Sequence, residues 1–277
     1  MMYISSSDII KTRILKQVIR GFDGDNIELF CQPILRTDDV GRDAKQLCKG
    51  EVLVRMRDDQ GQLITAGVML AQAERYGFSS KLDRRMLTRT LDTLVSHDEA
   101  FRRFDNLVLN LSAYSISNKE FLDFLVDEIR KSHVDPAKLC FEITETAAIL
   151  DIKAASQLIA VVKDLGCTFA LDDFGSGYAS YLYLRDLDVD YLKIDGEFVR
   201  NMVTDQVNQA LVRTMVDMGK ILGKQIIAEV VENQATLNML KDIGVDFVQG
   251  YFIGRPVPLE DCLYQLGCKE QHLEVQS

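Results

Sequence analysis

Eight polar residues stand at matching points of successive apolar runs: Gln32, Glu51, Asn110, Glu142, Asp172, Lys193, Glu229 and Gln249. One such residue is usually a satisfied cap or ion-pair member. Eight would be costly to bury without a purpose. With Asp173 they include five acids, Glu51, Glu142, Asp172, Asp173 and Glu229, which repel one another where they gather. A hard divalent cation relieves that repulsion. Carboxylates joined by the amide of Asn110 form an all-oxygen set suited to Mg²⁺ or Mn²⁺, whereas Zn²⁺ prefers His or Cys. None of His97, His133 and His272 falls in an apolar run. Five acids exceed what one Mg²⁺ usually takes, and the adjacent pair Asp172 and Asp173 can place one bridging and one terminal carboxylate. Two metals are therefore expected. A pair about 3.5–4 Å apart is the usual device for in-line displacement at phosphorus. Lys193 would add a further positive charge or hold the water.

To converge, these residues need elements that end at one place. The runs carrying them are LFCQPIL (29–35), GEVLVRM (50–56), LVLNLS (107–112), LCFEITE (139–145), TFALDDF (168–174), YLKID (191–195), QIIAEVVE (225–232) and FVQGYF (247–252). Segments of helical periodicity separate them: 67–96 as two helices, 117–132, 148–165, 178–186, 204–222, 234–243 and one after Pro258. Alternating strands and helices mean a parallel sheet, and eight units suit a closed (β/α)₈ barrel of the TIM type, with an open doubly wound sheet as the alternative. In such a barrel the strand ends at one mouth build the active site. RTDDVGRDAKQLCK, between the first two runs, is too polar to serve as a crossover helix, so the first strand is expected to run antiparallel to the second. Residues 1–24 read as a leading helix and turn, capping the barrel, and 25–277 as one barrel domain with no second domain.

Lys and Arg number 32 against 42 Asp and Glu, a net charge of -10, which argues against a DNA or RNA duplex or an anionic membrane as partner. No apolar stretch reaches the length of a membrane span. The six cysteines are scattered without a C-x-x-C pair and read as free, mostly buried thiols of a cytoplasmic protein. DDFGSGY (172–178) lacks the spacing and lysine of a phosphate-binding P-loop and reads as a mobile turn coupled to the paired aspartates.

The ordered set E-V-L-V-R (51–55), L-N-L-S (109–112), F-E-I-T-E-T (141–146), L-D-D-F-G-S-G-Y (171–178), L-K-I-D (192–195), A-E-V-V-E (228–232) and Q-G-Y (249–251) closely resembles the EAL-domain phosphodiesterases of bacterial cyclic di-GMP signalling. The resemblance runs from about residue 25 to 262. It implies a TIM-like barrel with one antiparallel strand and hydrolysis of cyclic di-GMP to linear pGpG by two Mg²⁺ or Mn²⁺ ions. By the same resemblance Glu51, Asn110, Glu142 and Asp172 hold one metal, Asp172 bridges, and Asp173 and Glu229 hold the other. Lys193 lies close to the attacking water, and Gln249 is a site glutamine. Gln32, Leu53 and Arg55 are implied substrate contacts, Gln32 near a guanine and Arg55 on a phosphate. Glu145 is implied to anchor the loop that begins at Asp172 and Asp173 and couples metal binding to homodimer formation. Glu232 reads as a supporting residue or a salt bridge at the barrel rim.

This chain departs from the family pattern at Val52, in place of the alanine of the motif, and at Val230, where glycine is usual. A β-branched residue at 230 is expected to resist a backbone angle that glycine permits and so to shift Glu229. The loop 36–49 looks longer than usual, and Ala66 replaces a common proline. A non-catalytic cyclic di-GMP receptor or protein-interaction module is the alternative function, with Val230 as its sequence support. A metal-dependent proton abstraction on a similar barrel is a third reading, disfavoured by the motif order.

Overall fold

The computed structural model describes residues 27–41, 49–57, 60–64, 66–176 and 183–268. The leading segment 1–26, most of the loop before Lys49, and the Gly177–Tyr178 end of the glycine turn lie outside them, as do the side chains of Ala66, Cys48 and Cys268. The strands are β1 (Ile27–Arg36), β2 (Lys49–Arg57), β3 (Leu63–Ile64), β4 (Asn106–Asn110), β5 (Leu139–Thr144), β6 (Thr168–Phe174), β7 (Tyr191–Ile194), β8 (Gln225–Ala228), β9 (Phe247–Gln249) and β10 (Val257–Pro258). Eight of them close in the order β1-β9-β8-β7-β6-β5-β4-β2, and pairing of β1 with β2 completes the barrel. β2 and β4 to β9 are parallel throughout.

β1 runs against both its neighbours, β2 and β9. The physical cause is the missing crossover: between β1 and β2 the described chain holds one short turn of 3₁₀-helix, Thr37–Asp39. Elsewhere amphipathic helices cover the outside. Lys119–Ser132 is typical, capped by Asn118, which accepts from Phe121 N at 3.1 Å, and burying Phe121, Leu125 and Ile129 at helical spacing. The expected helix 148–165 divides into Glu145–Leu150 and Ile152–Asp164, and of the expected 178–186 only the 3₁₀ turn Tyr183–Arg185 lies within the described residues.

Strand alternation separates two cores. Outward-facing residues such as Leu109, Phe141, Leu171 and Leu192 pack under the helices. Val52 is one of them, 1% exposed, so the change from alanine is absorbed on the outside of the barrel. Inward-facing Ile34, Val108, Cys140, Ala170, Tyr191, Ile227 and Phe247 form a separate layer inside the barrel. Lys49 completes this layer from β2, its ammonium 3.2 Å from Asn106 Oδ1 and 3.0 Å from Tyr191 Oη. Two residues further toward the mouth on each of these strands stand Asn110, Glu142, Asp172, Lys193, Glu229, Gln249 and Glu51, with Gln32 reached by stepping back along the reversed β1. The apolar floor and the polar layer above it thus follow from one period of two.

Candidate functional site

The polar layer is one connected network. Lys193, 1% exposed, places its ammonium 2.8 Å from Glu229, 2.9 Å from Glu142, 3.2 Å from Asp172 and 3.4 Å from Glu51. Glu51 also accepts from Asn110 Nδ2 at 2.9 Å and Gln249 Nε2 at 2.6 Å, and Gln249 Nε2 lies 3.3 Å from Gln32 Oε1. Gln32 faces Glu51 directly across the β1–β2 ladder. Carboxylate oxygens of Asp172, Asp173 and Glu229 all lie within 4.8 Å of one another. A cavity of about 380 Å³ opens above the network, lined in part by Gln32, Glu51, Asp172, Lys193, Glu229 and Gln249. That volume falls in the range of small-molecule sites.

Charge is unbalanced here, with five carboxylates around one ammonium. Burial, reinforced by Glu51 and Asp172, pushes Glu142 well above the ordinary carboxylate range in spite of Lys193. Glu229 is pushed up to about 8, by burial first and then by Asp172 and Glu51. Asp173 is pushed up to about 6 by burial and by Asp172 and Asp195. Glu51 moves the other way: burial opposes its ionisation, but Lys193, Gln249 and Asn110 outweigh it. For Lys193, burial works against the charge, yet the surrounding carboxylates hold its pKa well above the ordinary lysine value. Both Glu142 carboxylate oxygens and Asp172 Oδ1 are buried without an aligned hydrogen-bond donor. An all-oxygen donor set with surplus negative charge and unsatisfied lone pairs fits hard divalent cations.

Leu53 and Arg55 share the strand face of Glu51 but stand nearer the rim, and neither lines the cavity. The Arg55 guanidinium donates to Val54 O at 2.9 Å and lies 5.7 Å from the centre of the Phe30 ring. Besides Val230 and Gly250, three lining residues stand outside the set given by strand position. Arg200 ends the helix Gly196–Arg200 after β7, Tyr251 follows Gln249, and Glu232 is exposed on the rim without a salt bridge among the described residues. Tyr251 and Glu232 carried a signal, as the last letters of Q-G-Y and A-E-V-V-E, and Arg200 carried none. Gly250, beside Tyr251, is required by a close approach: a Cβ there would lie 2.3 Å from the Val231 backbone.

Glu145, 2% exposed, ties the loop after β6 to the barrel. It accepts from Gly175 N at 2.9 Å and from the Tyr183 hydroxyl, so both edges of the loop meet one carboxylate. In Glu145→Ala the buried Tyr183 hydroxyl and the half-buried Gly175 N–H both lose this partner, and a loss of about 2–3 kcal/mol is expected, measured by urea denaturation. A cleavage site newly opened between Asp173 and Tyr183 in limited proteolysis would place the loss in this loop.

Val230 has φ 53, so the chain does take the left-handed bend at this position despite the β-branched side chain. Glu229 is not thrown out of the group: it still meets Lys193 and the two aspartates. Backbone strain falls on Val230 itself, and Glu229 keeps these contacts beside it.

A sequence model of the EAL domain family matches residues 15–256, the whole barrel as far as β9 and its following turn. The chain belongs to the EAL domain family. The cyclic di-GMP phosphodiesterase PdeB of Shewanella oneidensis is 33% identical over 244 residues, 88% of this chain and 28% of that protein. The cyclic di-GMP phosphodiesterase PdeF of Escherichia coli is 30% identical over 267 residues, 96% of this chain and 34% of that protein. This EAL domain chain therefore spans roughly a third of the length of these curated relatives. Among solved structures, the PaMucR phosphodiesterase in complex with c-di-GMP matches with a TM-score of 0.82 at 28% identity, covering 90% of this chain and 99% of that one. The FimX EAL domain from Pseudomonas aeruginosa bound to c-di-GMP matches with a TM-score of 0.78 at 26% identity, covering 87% and 96%.

Proposed function

We propose that this EAL domain hydrolyses cyclic di-GMP to linear pGpG with two divalent cations, Mg²⁺ or Mn²⁺. The observation that carries the reading is the network of five acids, an amide and a lysine at one barrel mouth, in which one ammonium is shared among the carboxylates and Glu142 and Asp172 keep buried oxygens without an aligned donor. Relatives named cyclic di-GMP phosphodiesterases and a c-di-GMP complex of similar fold support the choice of substrate. Glu51, Asn110, Glu142 and Asp172 would hold one cation, and Asp172, Asp173 and Glu229 the other. Such a pair would acidify a water and neutralise charge on the phosphodiester.

The protein's own groups supply binding and orientation. Gln249 and Asn110 fix the Glu51 carboxylate from two sides, so it enters the site in one rotamer. Lys193 is held charged and can donate to a water or phosphate oxygen at the cavity floor. Arg55 reaches the rim, where its fork suits a phosphate, with Leu53 and Gln32 bordering the base. Glu145 and the loop it holds would carry the link to a homodimer. Four buried, free cysteines, Cys31, Cys140, Cys167 and Cys262, accord with a cytoplasmic protein, and no described helix is long and apolar enough to cross a membrane.

Incubation with cyclic di-GMP and Mg²⁺ or Mn²⁺ should yield pGpG on chromatography, and Glu51→Ala should lower the rate by at least about 100-fold. Binding of cyclic di-GMP without product would overturn hydrolysis. That result would favour the receptor reading, for which the strain at Val230 is the one specific observation.

A further inference from the structure

The strained valine has a counterpart 34 positions earlier in the chain. Glu229 N donates to Ile194 O of β7 at 3.3 Å, and Val231 N donates to Gln249 O of β9 at 2.9 Å. Val231 O in turn accepts from Phe252 N at 3.0 Å. The residues on either side of Val230 are thus fixed to different strands, and the bend between them falls on Val230 at φ 53. Its branched side chain comes to rest against the bare Cα of Gly196. A Cβ built on Gly196 would lie 2.0 Å from Val230 Cγ2 and 2.7 Å from Val230 Cβ, closer than atoms can approach.

Neither partner can easily retreat. Gly196 opens the helix Gly196–Arg200, capped by Asp195, whose side chain accepts from Glu197 N at 2.8 Å. The Asp195 backbone is bonded in turn to Phe174 O at 3.4 Å. Val230 cannot move without its neighbour Glu229, whose carboxylate meets Lys193, Asp172 and Asp173. We infer that Gly196 is a positioning residue for Glu229, acting through Val230: its missing side chain is the space that lets a valine occupy the bend without moving the glutamate. The inference rests on the proposed metal role of Glu229 and goes beyond it, because it couples the sequence choice at 196 to that at 230.

The test is a double-mutant cycle of the parent, Gly196→Ala, Val230→Gly and the double variant. Each is titrated with Mn²⁺ alone, free Mn²⁺ being followed by electron paramagnetic resonance, and each is melted in a chelator. With Val230 in place, Gly196→Ala is expected to weaken one Mn²⁺ site by about 10- to 100-fold, as lost support of a ligand does. In the Val230→Gly background, the same change should alter Mn²⁺ affinity by less than about 2-fold, a strong departure from additivity. Equal losses in both backgrounds overturn the inference. So does a cycle in which melting temperature changes and the Mn²⁺ affinity of the folded protein does not, since that marks a purely structural contact. Should Gly196→Ala fail to fold, the double variant decides: folding with Mn²⁺ binding supports the coupling, and failure to fold refutes it. A parent that binds no Mn²⁺ sinks the metal reading and the positioning role together, while the melting cycle still reports whether the two residues touch.

Discussion

Lys193→Met is expected to lower turnover of cyclic di-GMP by at least about 100-fold and to cost the protein in a chelator about 3–5 kcal/mol at neutral pH. Methionine approximates the lysine stem in a site only 1% exposed, so the loss comes from charge rather than from a cavity. The ammonium lies within 3.4 Å of Glu51, Glu142, Asp172 and Glu229, and without it these carboxylates repel with no cation in contact with them among the described residues. The pH dependence has a definite sign. Protonation relieves the repulsion, so the deficit against the parent should be small near pH 5 and grow toward pH 8. Mn²⁺ should restore much of the stability and little of the turnover, because a cation can replace the charge but not a donor fixed at that point of the floor. Urea denaturation at both pH values, with and without Mn²⁺, separates these effects. A deficit independent of pH and of Mn²⁺ would show that Lys193 acts by packing alone.

The barrel was readable because its strands are covered on both faces and therefore appear as mostly apolar runs, each carrying a polar residue toward the mouth. All eight runs became strands, and the missing crossover before Lys49 gave the direction of β1. Elements too short to have a period escaped notice: β3 and β10 are two-residue ladders set by tertiary pairing alone. Within the site, legibility followed the same line. Residues placed by strand alternation converge, from Gln32 to Gln249, since one register fixes them all. Arg200 sits on a helix behind β7 and reaches the cavity only through the path of the loop, which no spacing encodes. The Val230 bend is intermediate. The residue type signalled strain at that point, but its relief at Gly196 depends on contact between the ends of β7 and β8 and cannot be read along the chain.

The same surplus of charge makes the protein's stability depend on pH in the direction opposite to ordinary acid denaturation. Glu229 is raised from 4.5 to about 8 and Asp173 from 3.8 to about 6, so between these limits the folded chain binds more protons than the unfolded one. Stability is then fully present below the ordinary carboxylate pKa and is lost as pH rises through about 6 and then about 8. The Glu229 side chain is 19% exposed, and solvent screening reduces the effect accordingly. In a chelator, Tm is expected to fall by at least about 5 °C between about pH 5.5 and 8.5. Saturating Mn²⁺ replaces the bound protons, so with the ion present the fall should vanish or reverse, and protons should be released on binding near pH 7. Glu229→Gln removes the carboxylate that is pushed up to about 8. Its Tm in a chelator should therefore fall less than the parent's as pH rises toward 8, and one Mn²⁺ site should weaken. A parent Tm that rises with pH across this range would mean that the carboxylates are ionised and accommodated without cations, and the metal reading of the barrel mouth would lose its electrostatic basis.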